Sequence, residues 1–437
     1  MKKNRTLVGP GEAPRNRKLT RAALLAGGLS VVLVVSGCSS EGDGSNGGKT
    51  VLKVQGWKGG GTEPANIAAI VSAFEKANPD IDVQFEYVPP NDAYLQTLQP
   101  QFLAGKAADV VMTDVTKIPG WSKAGYLMDL SSEPWVSKAD PAVVPSISVD
   151  SKVYGQPMEI IAEGLYANTD LLKKAGISEA PTTWPQFEKD LATLKAKGIT
   201  PIAFPNKAGD TAQMVLNAAA STLTYQDKPD WDKSFNSGQA SFTQWKPALD
   251  QIKSLQSDGY VDFKQSLGVD EWSQGLNDFA AGKYAFWFHG AWEIQALQKA
   301  GLKNFTFNPW PAATEGGKSS VGVISGTQWS INAQTKKADA AKKFLAFWSD
   351  PDNAKPFLEA EHAFSPWKGA TNPNDPVAAK ALAAYEDNRF HVLPRDSWLS
   401  ASGNKSMKSK LQAWMLGQYS SEDELLKDLD NSLRPSS

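Results

Sequence analysis

The chain has 437 residues, 45 Lys and Arg against 47 Asp and Glu, a formal charge of −2, 15 Trp and a single Cys. That length exceeds one ordinary core, so two domains are expected. The charge balance argues against nucleic acid and anionic lipid as partners, and one cysteine excludes an internal disulfide framework.

The N-terminus reads as a targeting segment. Lys2, Lys3, Arg5, Arg15, Arg17, Lys18 and Arg21 form a basic leader ahead of an apolar run from Ala22 to Val35. The run is too short to span a bilayer but suits the apolar region of a secretory signal. Val35-Ser-Gly-Cys38 closes it and resembles a bacterial lipobox. That implies cleavage before Cys38 and lipid attachment there, and acyl chains confer membrane affinity. Residues 1–37 are therefore assigned to a signal peptide, and 38–49, rich in Gly and Ser, to a lipidated cysteine and flexible tether. The leader holds one acidic residue, Glu12, so its removal leaves a more acidic chain.

The first half of the folded part alternates strands and helices. Val51–Val54 is a short strand running into a loop with Trp57, Lys58, a glycine triplet and Thr62. Ile67, Ile70, Val71 and Phe74 share one helical face, with Pro64 in the first turn and Asn78-Pro79 as the stop. Residues 81–87 alternate apolar and polar, a half-buried strand. A helix from Asp92 to Leu103 should be kinked or shortened by Pro100. Asp109–Met112 is a buried strand opening into Thr113-Asp114. This order predicts a parallel sheet with ligand at the carboxyl ends of its strands, which selects Trp57, Lys58, Thr62 and Asp114. The triplet Gly59–Gly61 lacks the Lys-Ser/Thr of a phosphate loop and the spacing of a dinucleotide motif.

Residues 154–172 are read as a bridge between two lobes, with 156–163 as hinge and cleft floor and 164–172 as a strand and helix of the second lobe. A helix capped near Thr183 runs to Gly198. Residues 201–204 form a strand, and Trp245, Leu249, Ile252 and Leu255 fall at helical spacing. A buried strand spans 284–289, and a turn presents Gly290 and Trp292. Residues 321–331 read as the strand that crosses back. Helices follow at 339–348, 376–386, 404–415 and 421–432, the last with a capping box of Ser421 and Glu424.

Taken in order, "AFEKANPDIDVQFEYV", "LAGKAADVVMTD", "YGQPMEIIAEGLYANTDLL", "TTWPQFEKDLATLKAKG", "FAAGKYAFWFHGAWEI", "PWPAATEGGKSSVGVISGTQWSIN" and "AAKKFLAFWSDP" resemble the solute-binding proteins of ABC importers. The closest type is the family-1, carbohydrate-binding group. The resemblance implies an α/β fold of two periplasmic-binding-protein-like lobes, each a doubly wound sheet with flanking helices. Hinge crossovers near 159–163, 320–325 and 364–368 would join them. Lobe 1 would hold 50–160 with 321–365, and lobe 2 would hold 161–320 with 366–437. It further implies a monomer, anchored by lipid on the extracellular face, that delivers ligand to ABC permease subunits driven by an ATPase, with no cofactor.

A sugar stacks its C–H face on an aromatic ring and needs paired donors and acceptors around its hydroxyls. Trp57 and Trp292 match ligand-contact loops of the family. Gly290, Gly326 and Trp398 fall near expected cleft positions, and Asp114, Glu159, Glu163 and Arg395 can serve hydroxyls. For Trp329 and Trp367, core packing and ligand contact both remain open, whereas Trp245 and Trp348 sit on core stripes. His289, His362 and His391 show no metal-ligand spacing. A polyamine ligand and a surface hydrolase are the alternatives. Glu159 and Glu163 in an extended segment would lie roughly 13 Å apart, beyond what paired glycosidase carboxylates need. Ser402 and Lys405 match an acylation pattern without its partner motif.

Overall fold

A computed structural model of the chain describes residues 45–46, 48–58, 66–88 and 91–434. The expectations for Cys38, the leader, most of the tether, Pro64, the glycine triplet and Thr62 lie outside the described residues.

Among the described residues the alternating strands and helices build two six-stranded sheets, besides a small two-stranded one at Ser148–Val149 and Lys152–Val153. In the first, Lys49–Gly56 pairs in parallel with Ile81–Tyr87 and with Val110–Thr113. Gln328–Ile331 then joins Val110–Thr113 antiparallel, and Gln156–Pro157 joins that strand in turn. The helix Ile67–Ala77 buries Ile67, Ile70, Val71 and Phe74, the face its spacing predicts, and Asn78 closes it by donating from its side chain to the Phe74 carbonyl at 3.0 Å. Phe74 meets Phe344 of the helix Ala338–Trp348 edge to face at 5.2 Å. The helix Asn91–Leu103 continues past Pro100. The proline lies in its last turn, where the missing N–H costs a single helical hydrogen bond.

The second sheet is organised on Ile161–Asn168, in which every residue is buried. Phe286–Gly290, Phe305–Asn308 and Val321–Ile324 all pair with it antiparallel. Ile202–Ala203 and Phe390–Val392 extend the sheet in parallel with Phe286–Gly290 and Val321–Ile324. The central strand is buried along its whole length although Glu163 and Asn168 interrupt its apolar residues. An aromatic core of Trp231, Phe235, Phe242 and Trp245 lies beneath the helices of this lobe.

Three crossovers connect the sheets. The first is residues 158–160, between Gln156–Pro157 and Ile161–Asn168. The second is Ser325–Thr327. The run expected as one strand over 321–331 is two strands in different sheets, separated at Gly326, whose φ of +36° lies in the left-handed region. Residues 321–324 therefore belong to the second sheet, not to lobe 1. The third crossover comes later than expected. Asp140 N–H donates to the Pro366 carbonyl and Lys368 N–H to that of Lys138, so the chain stays on the first lobe through 368. It reaches the second by Val377, whose carbonyl accepts from Phe307.

Trp329 is fully buried against Phe344 and Trp348 at 5.8 Å. The substitution Trp329→Ala is expected to cost about 3–5 kcal/mol in urea unfolding and to leave ligand affinity of the folded fraction unchanged. A loss of affinity at unchanged stability would assign it to the cleft instead.

Candidate functional site

The loops at the carboxyl ends of the first-lobe strands face the second lobe across a cavity of about 620 Å³. Trp57, Lys58 and Asp114 line it from the first lobe, Trp272, Trp292, Glu293 and Arg395 from the second, and Glu159, Gly326 and Thr327 from the crossovers.

Trp57 follows the strand Lys49–Gly56 and packs against Tyr94 at 5.4 Å. The Tyr94 hydroxyl donates to the Gln55 carbonyl and accepts from Met112 N–H, tying that loop to the next strand. Asp114 ends the strand Val110–Thr113. Its Oδ1 accepts from the Thr116 backbone at 2.9 Å and from the Thr116 hydroxyl at 2.6 Å, so the loop holds itself in shape.

Lys58 reaches the cavity floor, where its Nζ donates to Glu159 Oε1 at 2.7 Å and to Glu361 Oε2 at 2.6 Å. Burial pulls the ammonium pKa down, and the two carboxylates outweigh burial and raise it above its ordinary value. Glu159 Oε1 also accepts from Thr327 N–H at 3.0 Å and Thr327 Oγ1 at 2.8 Å. One oxygen thus joins two crossovers and Lys58, while Glu159 Oε2 is buried without a hydrogen bond among the described residues. The fit is close: a Cβ at Gly326 would lie 2.3 Å from Glu159 Cγ.

The second-lobe wall is aromatic. Trp272 and Trp292 stack with centroids 6.1 Å apart at 20°. Gly290 lies under the Trp292 ring, where an added Cβ would sit 2.0 Å away. His289 is fully buried behind them, stacked on Trp287 at 4.7 Å and edge-on to Trp272 at 4.8 Å. Burial lowers its pKa to about 3, so it stays neutral. Glu293 is raised to about 7 by burial.

Seven sequence-predicted residues meet in this cavity: Trp57, Lys58, Asp114, Glu159, Trp292, Gly326 and Arg395. Gly290 supports Trp292 from outside the lining. Glu163 does not line it. It sits inside the central strand opposite Gly290 and Gly322, because the chain is already in the second sheet by Ile161. Trp329 and Trp367 are core residues, the latter edge-on to Trp135 at 6.2 Å. Trp398 lines a neighbouring chamber. Sequence reasoning missed Trp272, Glu293 and Glu361. Trp272 had a signal, a lone large aromatic in the polar loop Asp270–Ser273, and it is 43% exposed. Glu361, at the end of the helix Pro351–Glu361, had none.

Two predictions follow from the buried charges. Burial raises the Glu163 pKa to about 7 from an ordinary 4.5. The folded state then holds that proton more tightly than the unfolded chain, so its contribution makes stability fall as pH rises from about 4.5 through 7. The Glu163→Gln protein is expected to lack that part of the slope and to gain stability over the parent at pH 8 but not at pH 4. An unchanged slope in urea titrations would show that Glu163 is ionised at no cost. Removing the central cation by Lys58→Ala leaves two buried carboxylates facing each other and is expected to cost about 3–5 kcal/mol in the same measurement.

The sequence profile described as "Bacterial extracellular solute-binding protein" matches residues 58–355. Among curated proteins, the Multiple sugar-binding protein of Streptococcus mutans is 24% identical over 84% of this chain and 89% of its own length. The Melibiose/raffinose/stachyose-binding protein MelE of Bacillus subtilis is 26% identical over 84% of this chain and 87% of its own. Among solved structures, a chitin oligosaccharide binding protein superposes with a TM-score of 0.69 at 23% identity, covering 88% of this chain and 98% of that one.

Proposed function

The chain belongs to the bacterial extracellular solute-binding proteins, and from that premise we propose that it captures a carbohydrate between its lobes, closes over it and delivers it to a membrane permease driven by an ATPase. The observation that carries this reading is the cavity wall: a stacked indole pair and Trp57 beside hydroxyl-pairing groups. Indole faces suit the C–H face of a pyranose, and carboxylates, amides and guanidinium groups pair with its hydroxyls. Relatives whose names specify multiple sugars, melibiose, raffinose and stachyose support the same class.

The charge balance favours a neutral ligand over a polyamine. Lys58, Lys299 and Arg395 oppose Asp114, Glu159, Glu293 and Glu361 around the cavity, and Glu293, with its pKa near 7, is only partly ionised at neutral pH. A binding role is also favoured over hydrolysis. Glu159 and Glu361 share the Lys58 ammonium, which fills the space between them that a scissile oxygen would need. Ligand that touches both lobes stabilises the closed state alone, which a permease can then recognise. Anchoring through lipid on Cys38 would hold the protein at the membrane surface. Among the described residues no helix is long and apolar enough to cross a membrane.

Thermal unfolding against a panel of melibiose, raffinose, stachyose and maltodextrin tests the class. A cognate sugar at 100 times its Kd should add about 2.7 kcal/mol of stability. The exposed Trp272 should weaken that sugar by about ten-fold when changed to Ala, with stability altered by less than about 1 kcal/mol. Stabilisation by spermidine and by no sugar would overturn the proposal.

A further inference from the structure

A second chamber of about 430 Å³ opens beside the first. It too lies between the lobes, with Ser146 and Ser148 on the first-lobe side and Trp398, Ser402 and Asn404 on the other. The chambers share Val115, Thr116 and Arg395 in their walls, so these residues form a waist between them.

The waist is tied to the connection between the lobes. Arg395 Nε lies 3.1 Å from Asp396 Oδ1, with the arginine side chain 36% exposed and the aspartate 1%. Asp396 Oδ2 accepts the Ser325 N–H at 2.6 Å, at the start of the second crossover. Trp398 is anchored on Phe235 at 5.1 Å while still lining the chamber. The second chamber therefore repeats the chemistry of the first: an indole beside hydroxyl and amide groups, next to a charged pair.

A ligand cavity for a small molecule spans about 300–1,000 Å³. The first chamber alone already falls in that range, so a short sugar would fill it and leave the second without a role. We propose that the ligand is an oligosaccharide of at least three rings that passes the waist, with Arg395 beside its middle ring and Trp398 against its far ring. This rests on the carbohydrate reading above and adds the length of the ligand and the site that measures it. Contact at Arg395 bears through Asp396 on Ser325, so the far part of the ligand acts where the chain crosses between lobes.

Calorimetric titration with two series tests this: melibiose, raffinose and stachyose, and maltose to maltotetraose. In the series that binds, affinity is expected to rise about ten-fold or more from two rings to three. Trp398→Ala is expected to erase most of that gain. Because Trp398 also packs on the core, Ser402→Trp serves as a second variant that fills the chamber from an exposed helical position, and it should penalise tri- and tetrasaccharides about ten-fold more than the disaccharide. Equal affinity for all lengths, or variants whose effect does not depend on length, would overturn the two-chamber proposal and leave the carbohydrate reading standing. Absence of binding by every sugar would overturn both.

Discussion

The arrangement depends on one buried carboxylate. Glu159 sits in the first crossover, accepts two hydrogen bonds from Thr327 in the second, and takes a third from Lys58 at the end of a first-lobe strand. Lys58 in turn reaches Glu361, shortly before the chain runs toward the third crossover. Ile160 and Phe364 exchange backbone hydrogen bonds beside it, at 2.9 and 2.7 Å. The first two connections, and the first-lobe segment that leads to the third, are thus fastened to one another. A buried ion pair gains little net stability against an apolar replacement, but it is costly to break and fixes geometry. That suits a hinge, where position matters more than energy.

The same fastening sets the character of the cleft. The cations and carboxylates at its floor are largely spent on each other, which leaves little net charge for a ligand to neutralise. Part of the apolar wall of the cavity comes from indoles on opposing lobes, Trp57 on one side and Trp272 with Trp292 on the other. Neither lobe alone encloses the cavity. A ligand that engages both lobes has a differential affinity for the closed arrangement, which is the condition for ligand to drive closure.

The fold was legible where local pattern decided it. The face of Ile67–Phe74, the half-buried strand 81–87, the buried strand near Val110 and the Ser421 cap all reflect short-range rules. The strand-end rule pointed to Trp57, Lys58 and Asp114, and all three line the cavity because a parallel sheet leaves the loops after its strands on one edge. The misses share a cause. Residues 321–331 read as one strand, yet the polar stretch Ser325–Gln328 interrupts them, and the conformation at Gly326 and the pairing partners show two strands in two sheets. Trp329 and Trp367 were ambiguous because a tryptophan outside a helical stripe looks alike in a core and in a cleft. Glu361 pairs with Lys58 across 303 residues, and no sequence spacing encodes such a contact.

A ligand held between the lobes should draw them together about the fastened crossovers. Small-angle X-ray scattering of the folded protein, without sugar and with a saturating cognate sugar, tests it most directly. Sugar should give a smaller radius of gyration, and the Trp272→Ala protein should need about ten-fold more sugar for the same contraction. Saturating binding by calorimetry with an unchanged scattering curve would contradict it, because the ligand would then occupy a site that does not join the lobes.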